Sequence, residues 1–387
     1  MSIPSPLDLL ASLIKCPSVT PNEGGALSLL ESILKPAGFE VHRPVFSDTN
    51  TPDVENFYAR YGKNAPFLLF AGHTDVVPPG DLAAWKHDPF SATIENGEIY
   101  GRGATDMKGG IACMVVAALR FIKNNPDFKG SIGFLITGDE EDVAINGTVK
   151  LLKWAQERGE NFDYCILGEP TNPDKLGDMI KIGRRGSLSG KLTVHGKQGH
   201  VGYPDLAHNP VPDMMKLLEA LLAKPLDQGS THFSHSNLEV TTVDTGNPAT
   251  NVIPANIKAA FNIRFNDLWT FDTLQQELRQ RLESVADGRI SYTLDFVPSN
   301  APSFLTQPDD FVKQLQNVIQ SVTGAMPILS TTGGTSDARF IKDYCPVIEF
   351  GGIGKTMHQV NESMPIADIE PLTNIYEKMA EAFFASH

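Results

Sequence analysis

Four short, predominantly apolar runs constrain this chain more than any other feature: 67–71 (FLLFA), 132–137 (IGFLIT), 164–167 (YCIL) and 347–350 (VIEF). Continuous rather than alternating apolar character marks a strand buried on both faces. Helical patterns are interleaved with these runs at 7–15, 26–35, 109–123 (closed by Asn124-Asn125-Pro126), 148–158 and 372–384. Strands alternating with helices predict an α/β domain whose mostly parallel sheet is flanked by helices.

The middle of the chain follows a different rule. From about residue 181 the apolar positions alternate, at 188–195, 238–243 and 257–265, which predicts half-buried strands. Helical patterns at 211–222 and 273–284 interrupt them, and 290–296 supplies a last strand. This order predicts a βαββαβ sandwich, an α+β domain inserted into the α/β domain. The expected organisation is therefore a discontinuous domain over 1–180 and 297–387, with an inserted domain over 181–296. A length of 387 residues suits two domains.

Composition excludes several partner classes. A formal charge of -14 lacks the basic stripe that phosphate binding needs, so nucleic acid is not an expected partner. No run reaches the roughly 18 apolar residues needed to cross a bilayer, so no membrane association is expected. The start of the chain, Met1-Ser2-Ile3-Pro4-Ser5-Pro6, has no basic residue followed by an apolar run and does not read as a secretory signal. Cys16, Cys113, Cys165 and Cys345 are scattered without a C-x-x-C pair, as expected of free thiols in a reducing compartment. The cytoplasm is the expected location.

Metal-type side chains follow the predicted strands. His73 and Asp75 come after FLLFAG; Asp106 lies in GRGATDMKGG, just before a helix; Glu140 and Glu141 follow GFLITGD; Glu169 follows YCILG; His358 lies beyond VIEFGG. Ligands of open α/β sheets gather at the carboxyl ends of the strands. A lone His or acid in a loop is usually a cap or a solvated turn residue, but seven at one sheet edge point to a shared site. Imidazole and carboxylate without thiolate suit zinc, cobalt or manganese. A pair of such ions needs a bridging carboxylate, activates water and polarises an amide carbonyl. Spacing does not distinguish Glu140 from Glu141.

The stretches AGHTDVVPPGD, YGRGATDMKGGIA, TGDEED and LGEPT resemble the M20 family of zinc aminoacylases and carboxypeptidases, over essentially the whole chain. That resemblance implies two Zn2+ per subunit, with Co2+ able to substitute. One ion would be held by His73, Asp106 and Glu169, and the other by His358, Asp106 and Glu141. It gives Glu140 the role of general base and sets Asp75 to hydrogen-bond the second nitrogen of His73. It also implies a cis peptide bond after Asp106, and an inserted domain that serves as lid and forms a homodimer. The run Glu140–Ala144 departs from the family by placing an acid and a valine where smaller residues are expected.

KIGRRGSLSGKLTVHGKQGHVGYP and TTGGTSDARFI resemble the branch of the family that splits N-succinyl-LL-2,6-diaminopimelate into succinate and LL-2,6-diaminopimelate, a step in lysine and diaminopimelate biosynthesis. Arginines suit a substrate rich in carboxylates. The resemblance implies that Arg184, Ser187, Asn251 and Arg264 contact substrate or position the lid, that Gly334 and Thr335 bind the succinyl end, and that Tyr203 lines the site. His200 would come from the partner subunit to stabilise the oxyanion. The alternative is another N-acyl amino-acid deacylase of the family, such as one acting on acetylornithine, or a carboxypeptidase.

Overall fold

A computed structural model describes residues 3–386. Met1 and Ser2 of the N-terminal segment considered above lie outside the described residues. The chain divides into two compact units. One comprises the chain up to Ile182, Thr306–Ser330 and the chain from Ser336 on; the other comprises Gly183–Leu305 and Thr331–Thr335.

The first unit is built on an eight-stranded sheet. Its centre is four mutually parallel strands in the order Ser131–Thr137, Phe67–His73, Tyr164–Leu167 and Val347–Glu349. Ser131–Thr137 and Phe67–His73 are buried at every position, as their unbroken apolar sequence requires. Phe57–Gly62 and Glu40–His42 extend one side antiparallel, while Met179–Lys181 and Ile328–Ser330 extend the other. The helix Gly109–Asn124 is buried at every position from Gly109 to Leu119. It packs against Ile366–Ala385, whose Tyr376 hydroxyl donates to the Phe350 carbonyl at 2.6 Å. Each fully buried Leu, Ile or Phe of this core contributes about 1.5–3 kcal/mol.

In the second unit, Gly186–His195 pairs antiparallel with Asn256–Phe265 and with Tyr292–Phe296, and Asn237–Asp244 forms one edge. Alternating burial along Gly186–His195 sends Leu188, Leu192 and Val194 to one face. There they meet Met214, Leu217 and Leu221 of Pro210–Leu222 and Leu274, Leu278 and Leu282 of Phe271–Ala286. The element order is strand, helix, two strands, helix, strand, the α+β arrangement expected from the patterning.

Several elements lie beyond those expected from sequence. Asp310–Thr323 is a helix capped by the Asp309 side chain, and the C-terminal helix begins at Ile366 and runs through Pro371 instead of starting at 372. Phe304–Leu305 pairs with Gly183–Arg184, which draws residues 297–305 into the second unit. Thr331 joins them because its hydroxyl donates to the His232 carbonyl at 2.6 Å. No helix among the described residues is long and apolar enough to cross a membrane, and all four cysteines are free thiols.

Candidate active site

The carboxyl ends of the four parallel strands bring the metal-type side chains together. His73 closes its strand, Glu140 and Glu141 follow Thr137, Glu169 follows Leu167, and His358 lies in the loop beyond Glu349. Asp106 sits in a non-helical turn directly before the helix Gly109–Asn124, and its peptide bond to Met107 is cis. Close packing fixes the Glu169 loop. A Cβ on Gly110 or on Gly351 would lie 2.3 Å from the Gly168 carbonyl oxygen, so only glycine fits at either position.

Three groups of donor atoms form, each with all its atoms within 4.8 Å of one another: His73, Asp106 and Glu169; Asp106, Glu141 and His358; and His73, Glu140 and Glu141. Asp106 belongs to two of them through different oxygens. Its Oδ1 lies 3.2 Å from His73 Nε2 and its Oδ2 lies 3.3 Å from His358 Nε2. Glu141 Oε1 is 3.0 Å from His358 Nε2, and Glu169 Oε1 is 3.8 Å from His73 Nε2. His73 Nδ1 lies 2.9 Å from the Asp75 carbonyl oxygen, to which it donates, so Nε2 is the nitrogen turned to the cluster. Oxygen and imidazole donors without thiolate, one carboxylate facing two ways and an imidazole held in the ligating tautomer all fit a metal pair.

Electrostatics agree with that fit. Burial opposes the His73 imidazolium, but the hydrogen bond to Asp106 and the charges of Glu169 and Asp75 raise its pKa well above the usual value. His358 is pushed up to about 10 by its hydrogen bonds to Asp106 and Glu141. Burial alone would raise Asp106, yet the hydrogen bonds from His358 and His73 hold it well below the carboxylate range. Burial, together with the charges of Asp337, Glu169 and Glu141, raises Glu140 well above the ordinary glutamate value despite His73. A set so rich in carboxylates attracts positive charge strongly.

Asp75 meets the second nitrogen of His73 through its backbone carbonyl rather than its side chain. Its carboxylate Oδ1 is 3.6 Å from His73 Nδ1, whereas its Oδ2 accepts the backbone N–H groups of Glu140 and Glu141, each at 3.1 Å. Burial pushes its pKa up to about 7. Beyond the acids, Asp142 and Val143 are exposed, while the buried Ala144 has a φ of 53° that disfavours a larger side chain. Thus the acid and valine sit on the solvent side of the loop and leave the two glutamates undisturbed. Arg339 was not picked out by motif. It is buried, with its guanidinium 3.9 Å from Glu140 Oε1, and its only sequence signal is its place in GTSDARF.

The second unit gathers the remaining candidates into two groups. Ser187 and Arg264 are cross-strand partners, and Arg184 donates to the Gly334 carbonyl at 3.3 Å, next to Thr335. His200, Tyr203 and Asn251 form the other group. The rings of His200 and Tyr203 are 5.6 Å apart, and the Val201 N–H donates to the Asn251 carbonyl. His200 Nδ1 accepts the Gly202 N–H at 3.0 Å, which leaves the ring proton on Nε2.

Residues 69–382 match the family described as peptidase family M20/M25/M40. A protein of Methylorubrum populi named succinyl-diaminopimelate desuccinylase is 62% identical over 387 residues, covering 100% of both chains. One of the same name from Methylobacterium nodulans is 64% identical over 382 residues, 98% of this chain and 96% of the relative. The fold is also that of an M20 family metallo-carboxypeptidase from Sulfolobus solfataricus, with a TM-score of 0.76, 19% identity and coverage of 99% and 100%. With the family match and these relatives spanning both units, and a metal-type donor cluster at the sheet edge, the chain belongs to peptidase family M20/M25/M40, a family of hydrolases.

Proposed function

We propose that this protein hydrolyses the amide bond of N-succinyl-LL-2,6-diaminopimelate, releasing succinate and LL-2,6-diaminopimelate. The observation that carries this reading is the 62% identity along the full length of a relative bearing the corresponding name. Zinc suits the donors, with cobalt as a substitute. Held by His73, Asp106 and Glu169 on one side and by Asp106, Glu141 and His358 on the other, two ions would supply Lewis acidity toward the amide carbonyl and acidify water. Glu140 takes a proton from the attacking water on its carboxylate and passes it to the departing amine nitrogen. Its raised pKa, caused mainly by burial, suits a group that must hold a proton between the two steps. Asp75 orients both glutamates through their backbone N–H groups.

Substrate carboxylates meet Arg184 and Arg264, with Ser187, Gly334 and Thr335 beside them. The partner subunit's His200 donates its Nε2–H to the developing oxyanion. Two features support a role in trans for this histidine. Ser187 and His195 stand at opposite ends of one strand, about 27 Å apart at roughly 3.4 Å per residue, and His200 lies beyond the His195 end. Around His200, Val201, Tyr203 and Leu206 are exposed, as are Met215 and Leu222 on the helix Pro210–Leu222. Such apolar exposure suits a homodimer interface, with Tyr203 and Asn251 near the donated histidine. A reducing cytoplasm suits four free cysteines.

Turnover of N-succinyl-LL-2,6-diaminopimelate, with and without a chelator and beside an N-acetylornithine control, tests this reading. The succinyl compound should be hydrolysed far faster than the acetyl compound, and the chelator should abolish turnover. Faster hydrolysis of N-acetylornithine would make the protein a different N-acyl amino-acid deacylase, and full activity in chelator would remove the metal from the mechanism.

A further inference from the structure

Glu362 is fully buried and belongs to none of the groups described so far. Four donors from one short turn converge on its carboxylate. Oε2 accepts from the Arg102 guanidinium at 2.8 Å and from the Gly103 N–H at 3.0 Å. Oε1 accepts the N–H groups of Thr105 at 3.0 Å and of Asp106 at 3.1 Å. The Glu362 carbonyl takes the Gly101 N–H at 2.9 Å, so the turn 101–106 is held by a single residue. Arg102 also donates to the Gln359 carbonyl at 3.1 Å, in the loop that carries His358.

A buried carboxylate is costly unless its lone pairs are satisfied, and here each oxygen has two donors. Arg102 balances its charge, so Glu362 adds little repulsion to the acids nearby. The arrangement joins the loop of Asp106 to the loop of His358, two of the three residues in one donor group. Asp106 must present its two oxygens to two different histidines, 3.2 Å and 3.3 Å away, and such a side chain needs its backbone held firmly.

We propose that Glu362, seated by Arg102, is the positioning residue that sets Asp106 to face both metal positions. The proposal rests on the metal-site reading given above. Its test is the titration of full-length, chelator-stripped protein with Co2+, followed by calorimetry and visible absorption. Glu362→Gln turns an NH2 group toward backbone donors while leaving every metal-type side chain in place. It should bind Co2+ about 10–100-fold more weakly, with an altered absorption spectrum. Turnover should return as the metal concentration is raised, which a defect outside the metal site would not allow. Arg102→Met keeps the three backbone contacts and should show a smaller loss in the same direction.

Wild-type Co2+ affinity and spectrum in Glu362→Gln would overturn the proposal. If that variant does not fold, the same result in Arg102→Met would overturn it. Absence of Co2+ binding by the unaltered protein would instead remove the metal-site reading itself.

Discussion

The carboxylate of Asp75 accepts the backbone N–H of Glu140 at 3.1 Å. An acid beside a metal-type histidine is commonly assigned to the imidazole, yet His73 Nδ1 is already met at 2.9 Å by the Asp75 carbonyl, which a substitution at this position retains. Asp75→Ala should therefore leave His73 in place and loosen the segment that carries Glu140 and Glu141. We expect kcat to fall about 10–100-fold with KM for the succinyl substrate little changed. Steady-state kinetics would check this, and a rise in KM at unchanged kcat would assign Asp75 to substrate binding instead.

Glu140 and Glu141 are adjacent in sequence but differ in surroundings. Glu141 Oε1 lies 3.0 Å from His358 Nε2, whereas Glu140 Oε1 has the Arg339 guanidinium 3.9 Å away. Glu140→Gln should keep its metal content and lose about 10²–10⁴-fold in turnover. Elemental analysis alongside kinetics separates the outcomes: a metal-replete variant with near-normal turnover would take the base role away from Glu140.

Asp106 should behave in the opposite way. Because its two oxygens face two histidines, Asp106→Ala should release metal from both positions. A ligand at 1,000 times its Kd stabilises the folded state by about 4 kcal/mol, so adding zinc to stripped wild-type protein should raise Tm. In Asp106→Ala that response should vanish. A zinc-dependent rise equal to wild type would mean that Asp106 bridges nothing.

Gly110 tests the packing beneath Glu169. Its missing Cβ would stand 2.3 Å from the Gly168 carbonyl oxygen, and backbone on both sides leaves little room to yield. Gly110→Ala should cost about 1–3 kcal/mol in urea unfolding and lower kcat by displacing the neighbouring Glu169. Unchanged stability would show that the sheet edge relaxes more freely than its close contacts indicate.

Legibility followed the range of the interactions. The strands Phe67–His73 and Ser131–Thr137 were plain in sequence because burial on both faces leaves an unbroken apolar run. His73, Asp106, Glu169 and His358 could be picked out because each lies beyond such a run or opens a helix. Glu362 could not, since three of its four donors are backbone N–H groups some 260 positions away, which leave no mark in a sequence, and the fourth, Arg102, is just as distant along the chain. The turn of Asp75 toward Glu140 was hidden for the same reason. Thr331–Thr335 joins the second unit through contacts with His232 and Arg184, and no local pattern announces such pairings. Pro371 masked the first turn of the C-terminal helix, because proline inside a helix reads as a boundary.

The trans role proposed for His200 in a homodimer has a test that a merely structural histidine would fail. His200→Ala and Glu140→Gln should each be nearly inactive as homodimers. In a mixed dimer, the His200→Ala chain keeps Glu140 and receives an intact His200 from its partner, so one of the two sites is complete. Random 1:1 assembly should restore about a quarter of wild-type activity, from half the dimers each with one working site. If His200 acts within its own chain, the mixed dimer has one site lacking the histidine and one lacking the base, and mixing restores nothing. Coexpression of differently tagged variants, with isolation of the mixed species and measurement of its turnover, decides between them. The Nδ1 contact with the Gly202 N–H adds a further expectation. His200→Asn keeps a donor near the same place and should retain more activity than His200→Ala, because the donated hydrogen is what the oxyanion requires.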